Sequence, residues 1–194
     1  MQGYVQVYTG NGKGKTTAAL GLAIRALGAG KRVLFLQFMK TLEYSEHKVM
    51  AKLAPNLIVE SVGKPFFIAK GGMLSDKECE KWRDKLVIFP PGQPPADYLA
   101  IVAAGLNRAK EAVESGEYDL VVLDEVICAL YFGLLRWEDL LALIDSKAAN
   151  TELVLTGRGA PRELLERADL VTEMKEIKHY YATQGVEARL GIEN

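Results

Sequence analysis

The residues best suited to chemistry form one short run, Thr9-Gly10-Asn11-Gly12-Lys13-Gly14-Lys15-Thr16-Thr17, three glycines closing on Gly-Lys-Thr. Glycines let successive backbone N–H groups turn toward a phosphate with no Cβ in the way. Lys15 adds a full positive charge, a following helix N-terminus adds a partial one, and the Thr16 hydroxyl suits a magnesium ion. The run therefore predicts a triphosphate-binding loop. Its spacing is unusual. The common pattern G-x-x-x-x-G-K-[ST] would place the first glycine at Thr9, but it falls one residue later, at Gly10. That shortening leaves open how the triphosphate lies.

A second candidate is the carboxylate pair Asp124-Glu125, which ends the apolar run Leu120-Val121-Val122-Leu123. Beside a phosphate loop, a carboxylate must hold a magnesium ion or its waters. Either residue alone could instead cap the next helix. Arg158 stands between Gly157 and Gly159 at the end of Thr151–Thr156, where a guanidinium can approach phosphate closely or lie solvated in a turn. By residue type alone His179 is assigned no role.

The elements that must position these groups alternate. Tyr4–Tyr8 reads as a strand and Thr17–Leu27 as an Ala- and Leu-rich helix stopped by Gly28-Ala29-Gly30. Arg32–Phe38 is a near-continuous apolar strand, Glu46–Leu53 a short helix and Leu57–Val62 a weaker strand. Tyr98–Ser115 is a helix ended by Gly116, Leu135–Ser146 an amphipathic helix, and Leu170–Met174 a last strand after a helix begun by Pro161. Strands alternating with helices predict an α/β fold: a doubly wound, mostly parallel, RecA-like phosphate-loop sheet flanked by helices, in a single domain over residues 1–194. The Pro- and Gly-rich excursion at 63–97 interrupts this rhythm. It is read as a binding loop or lid, or else a plain surface insertion, with Trp82 either an anchor to the core or a ligand contact.

Bulk properties narrow the classes. The net charge of −1, with no basic block, excludes the electrostatic footprint of a nucleic-acid binder. No apolar stretch is long enough to span a bilayer, and the first strand starts too early to leave room for a signal peptide. Cys79 and Cys128 are isolated, without metal-ligand spacing, so reduced thiols and a cytoplasmic location are expected.

Taken in order, Gly10 to Ala19, Gln37-Phe38-Met39-Lys40, Val121 to Glu125, Thr156-Gly157-Arg158-Gly159, Ala168 to Glu173, Lys178-His179 and Gly185 to Glu193 form a set. This set resembles the P-loop family of ATP:corrinoid adenosyltransferases over most of the chain. The resemblance accounts for the shortened loop, which is the family's own. It implies that Co(I) of a reduced corrinoid attacks the 5′ carbon of ATP, that triphosphate leaves, and that ATP lies reversed relative to ordinary P-loop hydrolases. It implies nucleotide contacts at Gly10, Asn11, Gly12, Lys13, Gly14, Lys15, Thr16, Thr17, Arg25, Arg158 and His179. Lys15, Asp124 and Glu125 would act in catalysis, with Mg2+ on Thr16 and Glu125. Phe66 and Phe67 fall near the family's aromatic corrinoid cluster, though without its tryptophan. The resemblance further implies a homodimer and a flavoprotein reductant. Lys77–Pro95 reads as an insertion relative to the family, and the relatives' N-terminal extension over the active site is missing.

Two other readings use the same loop. A phosphotransferase or ATPase would act on the γ-phosphate and release ADP. A nucleotide switch or RecA-like nucleic-acid module would bind partners or nucleic acid without group transfer.

Overall fold

The computed structural model describes residues 2–41 and 44–193, without the side chains of residues 67 and 78. The chain runs β1 (Val5–Thr9), α1 (Lys15–Gly28), β2 (Val33–Phe38), α2 (Ser45–Met50), β3 (Leu57–Val62), β4 (Phe67–Lys70), α3 (Asp76–Lys81) and β5 (Leu86–Phe89). It continues through α4 (Ala96–Ser115), β6 (Leu120–Asp124), α5 (Val126–Phe132), α6 (Trp137–Ser146), β7 (Glu152–Thr156), α7 (Arg162–Arg167), β8 (Leu170–Glu173) and α8 (Tyr180–Gln184).

The main sheet has six strands in the order β3-β2-β6-β7-β1-β8, and every pairing in it is parallel. Parallel strands need crossover helices, which cover both faces, so the inner strands read as continuous apolar runs. Every residue of β2 and β6 is buried. Alternate side chains of β2 serve opposite faces. Val33 and Phe35 pack with Ala19, Ala23 and Ala26 of α1 and Met50 of α2. Leu34, Leu36 and Phe38 pack with Tyr98 and Val102 of α4, Ile127 of α5 and Leu140 and Leu143 of α6. Full burial of a Leu, Ile or Phe side chain is worth roughly 1.5–3 kcal/mol, so this double wrapping is what fixes the frame. The expected α/β, doubly wound parallel sheet is the fold observed.

The excursion at 63–97 holds more order than its composition suggested. β4 and β5 form a separate two-stranded parallel sheet, joined through α3. Phe67-Ile68-Ala69 and Leu86-Val87-Ile88-Phe89 are apolar enough for strands, but the flanking Gly and Pro residues obscured them. Ile68 and Phe89 are buried in the same core as α4, which fastens the excursion to the main body. A smaller difference concerns a helix end: Pro161 sits at the N-cap of α7 rather than inside it. Glu125 holds the N-cap position of α5, one of the two places allowed for it, although its side chain makes no capping hydrogen bond.

Candidate nucleotide site and adjoining cleft

Because the strands are parallel, the C-terminal ends of β1, β2, β6 and β7 lie along one edge of the sheet. That edge is where ligands bind in open α/β sheets. Register does the rest: Gln37 pairs with Asp124, and Leu123 with Leu155, which puts Thr156 next to Asp124.

The loop between β1 and α1 curls around its own lysine. Lys15 is buried, and its Nζ donates to the carbonyls of Gly10 and Gly12 at 2.7 Å each. Burial, and then the nearby Arg158 charge, lower the Lys15 pKa. Gly10 has φ +97°, and a Cβ there would fall 2.4 Å from the Met174 carbonyl oxygen, so only glycine suits the position. The Gly12 N–H donates to that same carbonyl at 2.7 Å, which seats the loop on the residue following β8.

Asp124 is the hub of the site. It has no solvent exposure and accepts from Thr16 Oγ1 at 2.9 Å, Thr156 Oγ1 at 2.6 Å, Gln37 Nε2 at 3.0 Å and Lys40 Nζ at 2.8 Å. Burial alone would raise its pKa, but the Lys40 charge and these hydrogen bonds outweigh burial and hold the carboxyl below its ordinary range. Burial likewise opposes the Lys40 charge, and Asp124 overcomes it, leaving that ammonium above its ordinary value.

Behind Asp124 lies a relay that sequence reasoning missed. Gln37 Oε1 accepts from His47 Nε2, and His47 Nδ1 accepts the Tyr44 N–H at 3.2 Å. An Nδ1 that accepts leaves the ring proton on Nε2, and burial lowers the His47 pKa, so the imidazole is neutral. The signal was present in Gln37: an amide inside a fully apolar strand must find partners.

Glu125 follows Asp124 in a left-handed conformation, φ 61°, uncommon for a residue with a Cβ. Its N–H donates to Thr156 Oγ1 at 2.9 Å, and its carboxylate accepts from Cys128 Sγ at 2.7 Å. Cys128 also receives the Arg158 N–H at 3.3 Å, so one thiol connects Glu125 with the Gly157–Gly159 turn. Burial and then the Glu125 charge push the Cys128 thiol up to about 12.

Of these groups Lys15, Thr16 and Glu125 line a cleft of about 660 Å³, together with Asn11, Lys13, Thr17, Lys40, Tyr44, Arg158 and His179, while the fully buried Asp124 stands behind its wall. His179 caps α8 by accepting the Tyr181 N–H at 3.1 Å. The segment Gly191-Ile192-Glu193 completes the wall, held by Lys13 Nζ to Glu193 Oε1 at 2.8 Å and to the Ile192 carbonyl at 3.0 Å. Arg189, then Lys13 and Tyr180, keep the Glu193 carboxyl well below the usual carboxylate range.

An adjoining cleft of about 500 Å³ shares Lys40, Tyr44 and Ala188 with the first and adds Met39, Phe66 and Trp82. Trp82 thus meets the same space as Phe66, although the two are far apart in sequence. Phe66 packs edge-on against Tyr98 at 5.8 Å. The side chain of Phe67, also expected at the site, lies outside the described residues. Arg25 is not brought to either cleft. It lies ten residues beyond Lys15, about 15 Å along α1, and lines a separate hollow with Tyr4, Lys31 and Asp119.

Among the described residues no group of three or more His, Cys, Asp or Glu side chains is arranged to hold a metal. The oxygens present suit magnesium none the less, since that ion takes one or two protein oxygens and completes its shell with phosphates and water. A cationic group, the Lys40 ammonium, already stands 2.8 Å from Asp124 and 3.3 Å from the Thr16 hydroxyl. The oxygens therefore accept positive charge.

Comparison with known proteins places the whole chain among relatives. An uncharacterized protein of Nostoc sp. is 35% identical over 98% of this chain, which spans half of that protein's length. Corrinoid adenosyltransferase CobA of Salmonella typhimurium is 31% identical, covering 99% of this chain and 86% of its own. A corrinoid adenosyltransferase of Pseudomonas aeruginosa is 31% identical over 99% of this chain and 84% of its own. A family profile, ATP:corrinoid adenosyltransferase BtuR/CobO/CobP, matches residues 1–194, and the chain belongs to that family of enzymes.

Proposed function

We propose that the chain transfers the 5′-deoxyadenosyl group of ATP to the Co(I) centre of a corrinoid and releases inorganic triphosphate. One observation carries the reading beyond nucleotide binding alone. The phosphate-loop cleft and the aromatic cleft share the wall made by Lys40, Tyr44 and Ala188. A nucleotide gripped by its phosphates in one would meet a flat apolar ring system in the other.

In this reaction the cobalt electron pair forms the Co–C5′ bond. The C5′–O bond breaks, its electron pair leaves on the triphosphate, and cobalt goes from Co(I) to Co(III). Co(I) is a strong nucleophile already, so the protein needs no base to activate it. Its work is alignment and charge neutralisation. The loop amides, Lys15 and Arg158 are placed for the phosphate chain, with Asn11, Lys13, Thr17 and His179 around it. Thr16, with Glu125 or Asp124, would hold Mg2+, and bound magnesium would supply charge neutralisation on the departing triphosphate. Phe66 and Trp82 would exclude water from the corrinoid face.

A flavoprotein reductant that supplies Co(I) and a homodimeric assembly belong to the reading through the family resemblance. A cytoplasmic location belongs to the reading in the same way; among the described residues no helix is long and apolar enough to cross a membrane.

The test is an anaerobic incubation with Mg·ATP and chemically reduced cob(I)alamin, following the corrinoid spectrum and the phosphate products together. A light-sensitive alkylcobalamin with inorganic triphosphate is expected. ADP and phosphate without alkylcobalamin would assign the loop to γ-phosphate chemistry instead.

A further inference from the structure

Lys40 is held in place by more than its ion pair. Met39, just before it, has φ 60°, a left-handed conformation disfavoured for a residue with a Cβ. The Met39 N–H donates to the Val62 carbonyl at 2.6 Å. Gly63 approaches so closely that a Cβ there would sit 2.6 Å from both the N and the O of Lys40. Strain of this kind persists only where the surroundings over-determine it. Its effect is to aim the Lys40 side chain, only 14% exposed, at a fully buried carboxylate.

The two oxygens that Lys40 meets, on Asp124 and Thr16, are among the Thr16, Asp124 and Glu125 oxygens proposed above to hold the magnesium ion. Magnesium binds oxygen at about 2.0–2.1 Å in a tight octahedral shell. An ammonium and a magnesium ion cannot share so small a space, both sterically and because like charges repel strongly where water is scarce. The side chain has somewhere to go. Its Nζ lies 5.4 Å from the centre of the Tyr44 ring, and Lys40 borders both clefts. An ammonium turned out of the metal position would face an aromatic ring and the phosphate chain of a bound nucleotide.

We propose that Lys40 is a tethered cation that fills the metal position of the nucleotide-free protein, is displaced by the magnesium ion that arrives with ATP, and then turns toward the boundary between the clefts. The inference rests on the reading that Mg·ATP binds the phosphate loop. It makes Lys40 a positioning residue, one that suppresses metal binding in the absence of nucleotide and couples the two ligands.

The test uses Mn2+ as the probe, titrated into the full chain without nucleotide, for the wild type, Lys40→Met and Lys40→Arg. Methionine keeps the aliphatic stem without the charge, and arginine keeps the charge. Mn2+ should bind Lys40→Met at least tenfold more tightly than the wild type, and Lys40→Arg no more tightly. Loss of a nearby positive charge alone also raises cation affinity, so displacement of the side chain is read independently. A second measurement needs no variant: acylation of Lys40 in the wild type should speed up severalfold when Mn2+ saturates the protein. Unchanged or weaker Mn2+ binding by folded Lys40→Met, or Mn2+-independent acylation, overturns the inference. Mg·ATP binding by the wild type and by Lys15→Ala is measured in parallel. If the wild type binds Mg·ATP through Lys15, such a result removes the inference alone. If it does not, the nucleotide reading falls and the inference with it.

Discussion

The Thr16 hydroxyl donates to the Asp124 carboxylate at 2.9 Å across a sequence separation of 108 residues. One residue is the second of the helix after the phosphate loop, and the other ends a central strand two places away in the sheet from β1. Their contact joins the two sequence signals that first suggested a nucleotide site, and it is where the site is most open to test.

Lys15 holds the loop from inside, through the Gly10 and Gly12 carbonyls. Lys15→Ala removes both that brace and the charge proposed to meet the triphosphate. ATP affinity and turnover should each fall at least tenfold, measured by calorimetry and by the alkylcobalamin assay. Near-normal values would remove the loop from the mechanism.

The two adjacent carboxylates should separate by behaviour. Asp124→Asn leaves Lys40 buried against a neutral amide and turns an NH2 toward hydrogen-bond donors, so a loss of about 3–5 kcal/mol is expected in denaturant unfolding. Glu125→Gln, half-exposed in the cleft, should leave stability within about 1 kcal/mol while lowering adenosyl transfer at least tenfold. The pH dependence follows from the sign of the shift. Asp124 has a folded-state pKa below its ordinary 3.8, so its contribution is complete above that value and is lost as pH falls through the depressed one. Acid unfolding of the wild type should show this loss, and Asp124→Asn should lack it.

Cys128 is a protonated donor to Glu125, with its thiol raised to about 12. At pH 8 that implies on the order of a thousandfold less thiolate than an ordinary cysteine carries. Native labelling with a thiol reagent, read by mass spectrometry, should leave Cys128 unmodified until the protein is unfolded. Rapid labelling in the native state would mean that the Glu125–Cys128 contact is not held in solution.

Phe66 borders the aromatic cleft but not the phosphate loop. Phe66→Ala should leave ATP affinity within about twofold and lower corrinoid affinity or turnover at least tenfold, in keeping with the energetic weight of buried aromatic contacts. Unchanged corrinoid kinetics would move the acceptor elsewhere.

What could be read from the sequence follows from what is local. The phosphate loop, its flanking strand and helix, and the strand ending at Asp124 obey short-range spacing rules, and each lies within a residue or two of its expected place. The relations that needed the fold are those between distant segments. His47 gave no sign of reaching Asp124, because its link passes through Gln37 on a different element. Phe66 and Trp82 line one cleft only because β4, α3 and β5 fold back beside the main sheet. Arg25 illustrates the opposite limit: it follows the loop closely in sequence, yet the helix rise carries it away from the site.

The place of β1 in the sheet has a bearing on how the protein is made. Among the described residues β1 pairs with β7 and β8 alone, the last two strands in sequence order. Among the strands of this sheet, the loop-bearing one precedes the other five in sequence and is flanked by the two that come last. The rest of the sheet can be assembled while this strand still waits, since β3, β2 and β6 pair among themselves. Contacts this distant in sequence form slowly. A nucleotide bound as proposed to the loop after β1 would favour the inserted strand by mass action, so occupancy of the cleft and closure of the sheet are thermodynamically linked.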